Sequence, residues 1–173
     1  MQIIAFTGKK GTGKSTACKY LEEKYGFTRV NFKDSLIAEL KQYYSLVLDE
    51  LAIVYGMPVD ELFIVKPPAV RKLMQSHGQM RREENPDYWV SDWVVQTYAN
   101  NLIVTDDVRF LNEAEKVRQR GGIIIRLERT DMEHTDTHIS ETEMDNIVPD
   151  FTVVCNGGDH DHLYKKLDAI MNR

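Results

Sequence analysis

Eight residues near the amino terminus have the types and spacing of a site that binds nucleotide phosphates. Gly8-Lys9-Lys10-Gly11-Thr12-Gly13-Lys14-Ser15 satisfies the pattern G-x-x-x-x-G-K-[ST]. The glycines let backbone N–H groups converge on phosphate oxygens, and a following helix adds the positive end of its dipole. In such a loop Lys14 lies against the β- and γ-phosphates, and the Ser15 hydroxyl holds Mg²⁺. The segment therefore predicts binding of a nucleoside triphosphate.

The elements around this loop are those that a phosphate site requires. Residues 3–6 form a short apolar run, and a helix is expected over residues 14–25 because Ala17, Leu21 and Tyr25 recur at helical spacing. Further strands are predicted over residues 28–32, 102–105, 123–127 and 151–155, with helical patterns between most of them. This order predicts an α/β P-loop NTPase fold with a central, parallel, five-stranded sheet flanked by helices.

A helical region is expected over about residues 34–100, with a break at Gly56-Met57-Pro58. In it Arg71, Gln75, Gln79 and Arg82 follow one another at spacings of 4, 4 and 3, which places them on one face of a helix. That face could grip a phosphate and the edge of a base. A solvated helix face with ordinary charges is the alternative, and the spacing does not decide between them.

Polar residues follow the apolar run of residues 102–105 directly, in the order Asp106-Asp107-Val108-Arg109-Phe110. Ligands of open α/β folds bind at the carboxyl ends of the strands. One aspartate could hold a Mg²⁺-bound water there, and Arg109 offers a two-pronged donor to a phosphate. The alternative is a surface turn.

Residues 128–145 are polar and are expected to form a lid over the site. Arg129 at its start could neutralise charge on a transferring phosphoryl group, although a plain surface charge is the alternative. His134, His138 and Glu141 follow, but their spacing matches no compact zinc site and no cysteine pair is near. Zinc binding is therefore not expected.

Composition narrows the class of protein further. The chain has 173 residues and a net charge of -5, so one domain over residues 1–173 is expected, and no basic run favours polymeric nucleic acid. No apolar segment approaches the ~20 residues of a membrane span, which predicts a cytoplasmic protein. Cys18 and Cys155 lie in apolar segments and are expected to be buried thiols.

Taken together, the motifs resemble those of the bacteriophage-type deoxynucleoside monophosphate kinases, a family with the P-loop nucleoside monophosphate kinase fold. The resemblance covers nearly the whole chain. Besides the P-loop it rests on residues 32–36, residues 75–78 with Arg82, residues 86–89, residues 107–110 with Asn112-Glu113, residues 138–141, residues 149–151 and Asn156-Gly157. The chain departs from the family at Gly78-Gln79-Met80 and at Ser35, which concerns base preference more than the reaction.

The resemblance implies an enzyme that uses ATP and Mg²⁺ to phosphorylate a deoxynucleoside 5′-monophosphate to the diphosphate for DNA precursor synthesis. It implies a donor site at Gly11, Thr12, Gly13, Lys14, Ser15 and Thr16, with Asn156 and Gly157 near the adenine. It implies acceptor contacts from Asp34, Arg71, Gln75, Arg82 and Arg109. Further predicted acceptor contacts are Lys33, Trp89, Asp107 and Glu141. Lys14, Arg109 and Arg129 are the expected catalytic residues, and Ser15 and Asp107, the latter through water, are the expected metal ligands.

Other classes of protein contain the same loop. A kinase for phosphomevalonate or dephospho-coenzyme A has much the same layout. A GTP-binding switch needs an Asn-Lys-x-Asp tetrapeptide, which the chain lacks, and a remodelling ATPase would want an apolar run ending in Asp-Glu. The sequence leaves open the accepted bases, the preference for deoxyribose or ribose, whether the protein is a monomer or a homodimer, and which of Asp106 and Asp107 serves the metal.

Overall fold

The fold was analysed in a computed structural model that describes residues 1–131 and 143–172. The chain divides into two compact units. The first comprises Met1–Asn31 and Val94–Arg173, and the second is the continuous stretch Phe32–Trp93. The second unit occupies most of the region predicted to be helical over residues 34–100, and its end falls inside a helix rather than at residue 100.

The first unit is built on a five-stranded sheet. Its strands are β1 (Gln2–Thr7), β2 (Thr28–Arg29), β3 (Leu102–Thr105), β4 (Ile123–Glu128) and β5 (Phe151–Val154). They lie in the order β2-β3-β1-β4-β5, and every pair is parallel. The predicted fold class is therefore confirmed. Because β1 is central and its neighbours β3 and β4 follow much later in the chain, the carboxyl end of β1 is a topological switch point, where such folds bind ligands.

Helices cover the sheet of the first unit. They are α1 (Lys14–Tyr25), α7 (Leu111–Gln119) and α8 (His160–Met171), and a 3₁₀ turn spans Glu143–Asn146. Ile4 and Phe6 of β1 are buried together with Leu21 of α1 and Leu163 of α8. Burial of successive positions in β1 is what a strand covered on both faces requires. This packing holds the loop after β1 between a rigid strand and a rigid helix.

The second unit is helical. It contains α2 (Lys33–Tyr43), α3 (Ser45–Tyr55), α4 (Val59–Val65) and α5 (Pro68–Glu84), and α6 (Tyr88–Thr97) runs across its end. Its core consists of Leu40, Leu48, Leu62, Phe63 and Val70. At its two chain ends the rings of Phe32 and Trp93 stack with centroids 4.6 Å apart. Within residues 1–131 and 143–172 no helix is both long and apolar enough to cross a bilayer.

Several predicted details differ in the structure. The second strand was expected over residues 28–32 but ends at Arg29, and the Val30 N–H beyond it donates to the carbonyl of Val104, at 3.0 Å. The helix α2 begins at Lys33, so Asp34 lies in its first turn. Cys155 was expected to be buried and is only partly so, whereas Cys18 is buried; both are free thiols.

The break at Gly56-Met57-Pro58 is confirmed, since α3 ends at Tyr55 and α4 begins at Val59. The next helix, α5, begins at Pro68. Proline is favoured at the first helical position because its missing N–H would have no partner there.

One carboxylate ties α1 to α8. Asp168 accepts hydrogen bonds from the hydroxyls of Tyr20 at 2.6 Å and Tyr25 at 2.8 Å, and from the Lys24 ammonium at 2.8 Å. The Tyr20 ring also stacks on Tyr164 of α8, with centroids 4.0 Å apart. The bonds from Lys24 and the two tyrosines lower the pKa of Asp168 to about 2. The helix that follows the P-loop is thereby fixed to the carboxyl-terminal helix.

We expect Asp168→Asn to lower the melting temperature at neutral pH by about 2–4 °C, the effect of losing a modest interaction in a chain of this size. The pKa of Asp168 is depressed on folding, so its contribution is complete above the unfolded value near 3.8 and is lost as pH falls through about 2. The difference in melting temperature between the two proteins should therefore shrink between about pH 4 and pH 2. The matched control is Glu23→Gln, which removes an exposed pair with Lys19 on the same helix and should change little. A pH-independent difference would contradict the role of the Asp168 charge.

Candidate active site

The P-loop connects β1 to α1 in a conformation that its glycines make possible. Gly8 has φ 131°, and a Cβ at this position would overlap the carbonyl oxygen of Leu127 in β4. Gly13, the residue before α1, has φ 95° and adds no side-chain cap to the helix. The N–H groups of the first helical turn point out of such a terminus towards any bound anion. The predicted strand, loop and helix are therefore all present.

Lys14 lies folded against this loop. Its ammonium donates hydrogen bonds to the carbonyl oxygens of Gly8 at 2.6 Å and Lys9 at 2.7 Å. The Thr12 hydroxyl donates to the same Lys9 carbonyl at 2.9 Å. These contacts keep the charge of Lys14 on the inner side of the loop. A phosphate bound in the loop can replace these carbonyl oxygens as the partner of the ammonium, and this needs only a local change in the lysine side chain.

Ser15 is paired with a carboxylate from the neighbouring strand. Its hydroxyl donates to Asp106 Oδ2 at 2.8 Å, and Asp106 directly follows β3. Asp107 points its Oδ1 elsewhere, where it accepts a hydrogen bond from the Thr105 hydroxyl at 2.8 Å. Both aspartates are largely buried, at 5% and 7% exposure. Of the two, it is therefore Asp106 that faces the P-loop serine.

Two residues at the end of β2 and just beyond it, Arg29 and Asn31, hold Asp106 in place, and neither was among the predicted site residues. The Asn31 side-chain oxygen accepts from the backbone N–H of Asp106 at 3.0 Å and from the Thr105 hydroxyl at 3.3 Å. Arg29 Nη1 approaches Asp106 Oδ2 at 3.4 Å. A polar residue close to a strand end was the available signal, but the prediction that the strand ran to residue 32 concealed it.

Arg29 is itself held by α1. Its Nη2 donates to Glu22 at 2.5 Å and to the Ser15 carbonyl at 3.2 Å. Burial favours the neutral guanidine, but the hydrogen bond to Glu22 and the nearby negative charges outweigh it and raise the pKa of Arg29. Burial also raises the pKa of the neighbouring Cys18 thiol, with a further contribution from Asp106. Arg29 is thus charged at neutral pH and Cys18 is a neutral thiol.

The segment that carries Arg109 is fixed through its backbone. The Glu113 carboxylate accepts from the N–H groups of Arg109 at 2.8 Å and Phe110 at 3.1 Å, and it is only 1% exposed. The N–H of Val108 donates to the carbonyl of Phe6 in β1 at 3.3 Å. Glu113 thereby caps α7 and holds the predicted Asp-Val-Arg-Phe segment at the carboxyl edge of the sheet. In the sequence, Glu113 is recognisable only as part of the family pattern, and its capping role was not predicted.

Arg129 follows β4 and contacts two other loops of the same unit. Its Nη1 donates to the carbonyl of Gly11 at 3.1 Å, and its Nε and Nη2 donate to the Asp131 carboxylate at 2.9 and 2.7 Å. Asp131 Oδ2 also accepts from the N–H of Gly157 at 3.1 Å. The hydrogen bonds from Arg129 and Gly157 lower the pKa of Asp131, and the bond to Asp131 raises the pKa of Arg129.

The Asn156-Gly157 turn lies beside this pair. The Thr130 hydroxyl donates to the Asn156 side-chain oxygen at 2.8 Å. Asn156 also lines a shallow cleft at the carboxyl end of β5, together with Asp159 and His162. The structure thus brings the P-loop, Arg129 and the predicted adenine turn together at one edge of the sheet.

Arg126, which precedes them in β4, has a different task. Its Nη2 donates to the carbonyls of Met144 at 2.8 Å and Ile147 at 2.5 Å, so it fixes the 3₁₀ turn. Lys9 of the P-loop forms an ion pair with Asp145 of that turn at 2.7 Å. The end of the predicted lid is therefore anchored to the P-loop. Glu141, together with His134 and His138, lies outside the residues that the structure describes.

The remaining candidate residues lie in the second unit. Lys33 and Asp34 form the first turn of α2, and Arg71, Gln75 and Arg82 lie along α5, all partly exposed. The spacing of the three residues on α5 keeps them on one helix face, as predicted.

Trp89 of α6 is 1% exposed, and its indole N–H donates to the carbonyl of Gly78 at 3.2 Å. Its ring and its donor are thus both engaged inside the unit.

A second carboxylate, Glu39 of α2, binds α5 and α6. It accepts from His77 Nε2 at 2.7 Å, from Arg81 Nε at 3.0 Å and from the Tyr88 hydroxyl. Burial alone would favour the neutral acid, but the three donors outweigh it and lower the pKa of Glu39. His77 and Arg81 lie about a quarter turn or more from the face of Arg71, Gln75 and Arg82, so Glu39 fixes the rotation of α5 about its axis. Neither Glu39 nor Arg81 was among the predicted site residues.

The parallel sheet, the P-loop between β1 and α1, and the Ser15–Asp106 pair define a P-loop kinase. The sequence model of the deoxynucleotide monophosphate kinase family matches residues 60–167, and the chain belongs to this family. It is therefore a nucleotide monophosphate kinase.

Known proteins similar to this chain include viral and bacterial ones. A protein of Acanthamoeba polyphaga mimivirus, named "Putative deoxynucleotide monophosphate kinase", is 29% identical over 96% of this chain and 94% of its own length. An uncharacterized protein of Ictalurid herpesvirus 1, ORF77, is 25% identical over 82% of this chain and 58% of its own length. Among solved structures, dephospho-CoA kinase from Campylobacter jejuni matches 99% of this chain and 96% of its own, with 12% identity and a TM-score of 0.48.

Proposed function

We propose that the protein transfers the γ-phosphoryl group of ATP, with Mg²⁺, to the phosphate of a deoxynucleoside 5′-monophosphate. The observation that carries the proposal is the pairing of the Ser15 hydroxyl with Asp106 at 2.8 Å beside the folded-in ammonium of Lys14. Membership of the deoxynucleotide monophosphate kinase family supports the choice of acceptor.

The described residues suit Mg²⁺ and a triphosphate. Hydroxyl and carboxylate oxygens are the ligands that Mg²⁺ prefers, and Ser15 and Asp106 supply one of each. We assign the carboxylate of the Mg²⁺ site to Asp106 in preference to Asp107, because Asp107 Oδ1 accepts a hydrogen bond from Thr105. When bound, Mg²⁺ would neutralise charge on the β- and γ-phosphates. Lys14 and the N–H groups of Gly11 to Thr16 would hold the same phosphates from the other side.

No general base is required for this reaction. The second pKa of a phosphate monoester is about 6, so at neutral pH the acceptor is largely a dianion. One of its oxygens forms the new bond to the γ-phosphorus, while the bond from that phosphorus to the bridging β-oxygen breaks and ADP leaves with the electron pair. The protein has to align two anions and shield their charges. We propose Arg109 and Arg129 for that shielding.

We propose Lys33, Asp34, Arg71, Gln75 and Arg82 of the second unit as contacts of the monophosphate. Arg109 is a further proposed acceptor contact. Asp107 and Glu141 stay proposed acceptor contacts. Trp89 is given an indirect role, because its buried ring and its bond to Gly78 support α5.

A panel of acceptors tests the proposal. We expect ADP release with ATP and Mg²⁺ to depend on one or more deoxynucleoside monophosphates, with product diphosphates detected by mass spectrometry. The panel should include the ribonucleoside monophosphates, phosphomevalonate and dephospho-coenzyme A, which are the acceptors of the competing readings. The proposed acceptor class is wrong if a member of that second group is phosphorylated and no deoxynucleotide is.

A further inference from the structure

The three residues that follow β4 connect the P-loop to the Asn156-Gly157 turn. Arg129 bonds to the Gly11 carbonyl, Thr130 to the Asn156 side chain, and Asp131 to both Arg129 and the N–H of Gly157. Every one of these contacts lies within the first unit.

Asp131 determines how the Arg129 guanidinium is oriented. Its two oxygens accept from Nε and Nη2, which is the two-pronged geometry that fixes the plane of a guanidinium. Oδ2 is in turn held by the N–H of Gly157 at 3.1 Å, so the carboxylate is anchored to the backbone of the turn. The remaining edge of the guanidinium, with Nη1, is the one that reaches the P-loop at Gly11.

Gly157 is required by the same arrangement. Its φ lies outside the left-handed region, so the backbone conformation itself does not require glycine. A Cβ at this position would overlap the guanidinium of Arg129, and its nearest neighbours are all guanidinium atoms. The missing side chain therefore makes room for the Arg129 guanidinium.

The Arg129–Asp131 pair contributes little to folding. The two side chains are 24% and 42% exposed, and ion pairs at such positions add little to stability. An arginine side chain, however, has large conformational freedom that any ligand must remove on binding. A partner that removes this freedom beforehand makes binding of the ligand tighter.

We propose that Asp131 is a positioning residue for Arg129, and that together with Gly157 it holds the guanidinium beside the P-loop, ready to contact the donor nucleotide. This inference rests on the proposed use of ATP. It assigns Asp131 no contact with either substrate. Its effect on the nucleotide passes through Arg129 alone.

The test is a double-mutant cycle on ATP binding, measured by calorimetry with Mg²⁺ and without acceptor. Asp131→Asn should raise the Kd for ATP about tenfold and leave the melting temperature unchanged, since ordering one long side chain has a cost of that size. Arg129→Ala should raise the Kd at least as much. In the Arg129→Ala protein, the added Asp131→Asn change should have no further effect. Asp161→Asn, an exposed carboxylate change on α8, is the control and should leave the Kd unchanged.

Gly157→Ala supplies a second route to the same state. The new methyl group should displace the guanidinium and raise the Kd for ATP, and the rise should be smaller once Arg129 is alanine. Unchanged affinity in Asp131→Asn, or effects that simply add in the double variant, would overturn the inference. If the cycle shows coupling while no deoxynucleotide is phosphorylated, the role of Asp131 stands and the proposed acceptor is wrong. If the unmodified protein binds no ATP, both proposals are wrong.

Discussion

Lys14→Ala is expected to reduce phosphoryl transfer by about 10³-fold or more, the loss typical of removing a donor that stabilises developing charge. The Lys14 ammonium is the cation that lies folded into the P-loop, 2.6 Å from the Gly8 carbonyl and 2.7 Å from the Lys9 carbonyl. The measurement is the initial rate of ADP release at saturating ATP and acceptor.

The variant should remain folded. Lys14 makes its bonds to loop carbonyls and contributes nothing to the buried cluster around Phe6 and Leu21, so the melting temperature should change by at most a few degrees, about 2–4 °C. Lys19→Ala, on the exposed side of the same helix, is the matched control and should keep full activity. A folded Lys14→Ala protein that retains a normal rate would refute the assigned role of the P-loop.

The sheet could be predicted because its strands are short apolar runs at regular positions. Residues 3–6, 102–105 and 123–127 are apolar at nearly every position, as strands buried on both faces must be, and each was placed to within a residue or two. The second strand was predicted to be too long because Val30 and Phe32 extend the apolar run although neither belongs to the strand. Val30 still bonds to β3, whereas Phe32 stacks on Trp93 in the helical unit.

The P-loop could be predicted because its function depends on backbone conformation, which glycine spacing records. The partner of Ser15 could not be chosen, since Asp106 and Asp107 are the same residue type at adjacent positions. Successive side chains of an extended chain point in opposite directions, and only the contact of the Ser15 hydroxyl with Asp106 shows which one meets the loop.

Contacts between segments far apart in the sequence could also not be predicted. Glu39 meets His77, Arg81 and Tyr88 across 38 to 49 residues of chain. Asp131 meets Gly157 across 26. Nothing in local spacing marks these carboxylates among 27 acidic residues. They become visible only when packing brings their donors together.

Asp106→Asn is expected to lower kcat by about 10²-fold and to raise the Mg²⁺ concentration needed for half-maximal rate. The physical reason is charge. The amide oxygen can still accept a hydrogen bond from the Ser15 hydroxyl, but the amide carries no negative charge to attract a divalent cation. Arg29 keeps its bond to Glu22 in this variant, so the surrounding structure should persist.

Asp107→Asn is the matched control for this prediction, because the two aspartates are adjacent and similarly buried, at 5% and 7% exposure. Asp107 Oδ1 accepts from the Thr105 hydroxyl, whereas Asp106 accepts from Ser15, so replacement of Asp107 should leave the Mg²⁺ dependence near that of the unmodified protein. The KM for the deoxynucleotide can change in this control, since Asp107 is a proposed acceptor contact. If the Mg²⁺ requirement shifts in Asp107→Asn and stays fixed in Asp106→Asn, the 2.8 Å contact between Ser15 and Asp106 does not identify the carboxylate that serves the metal.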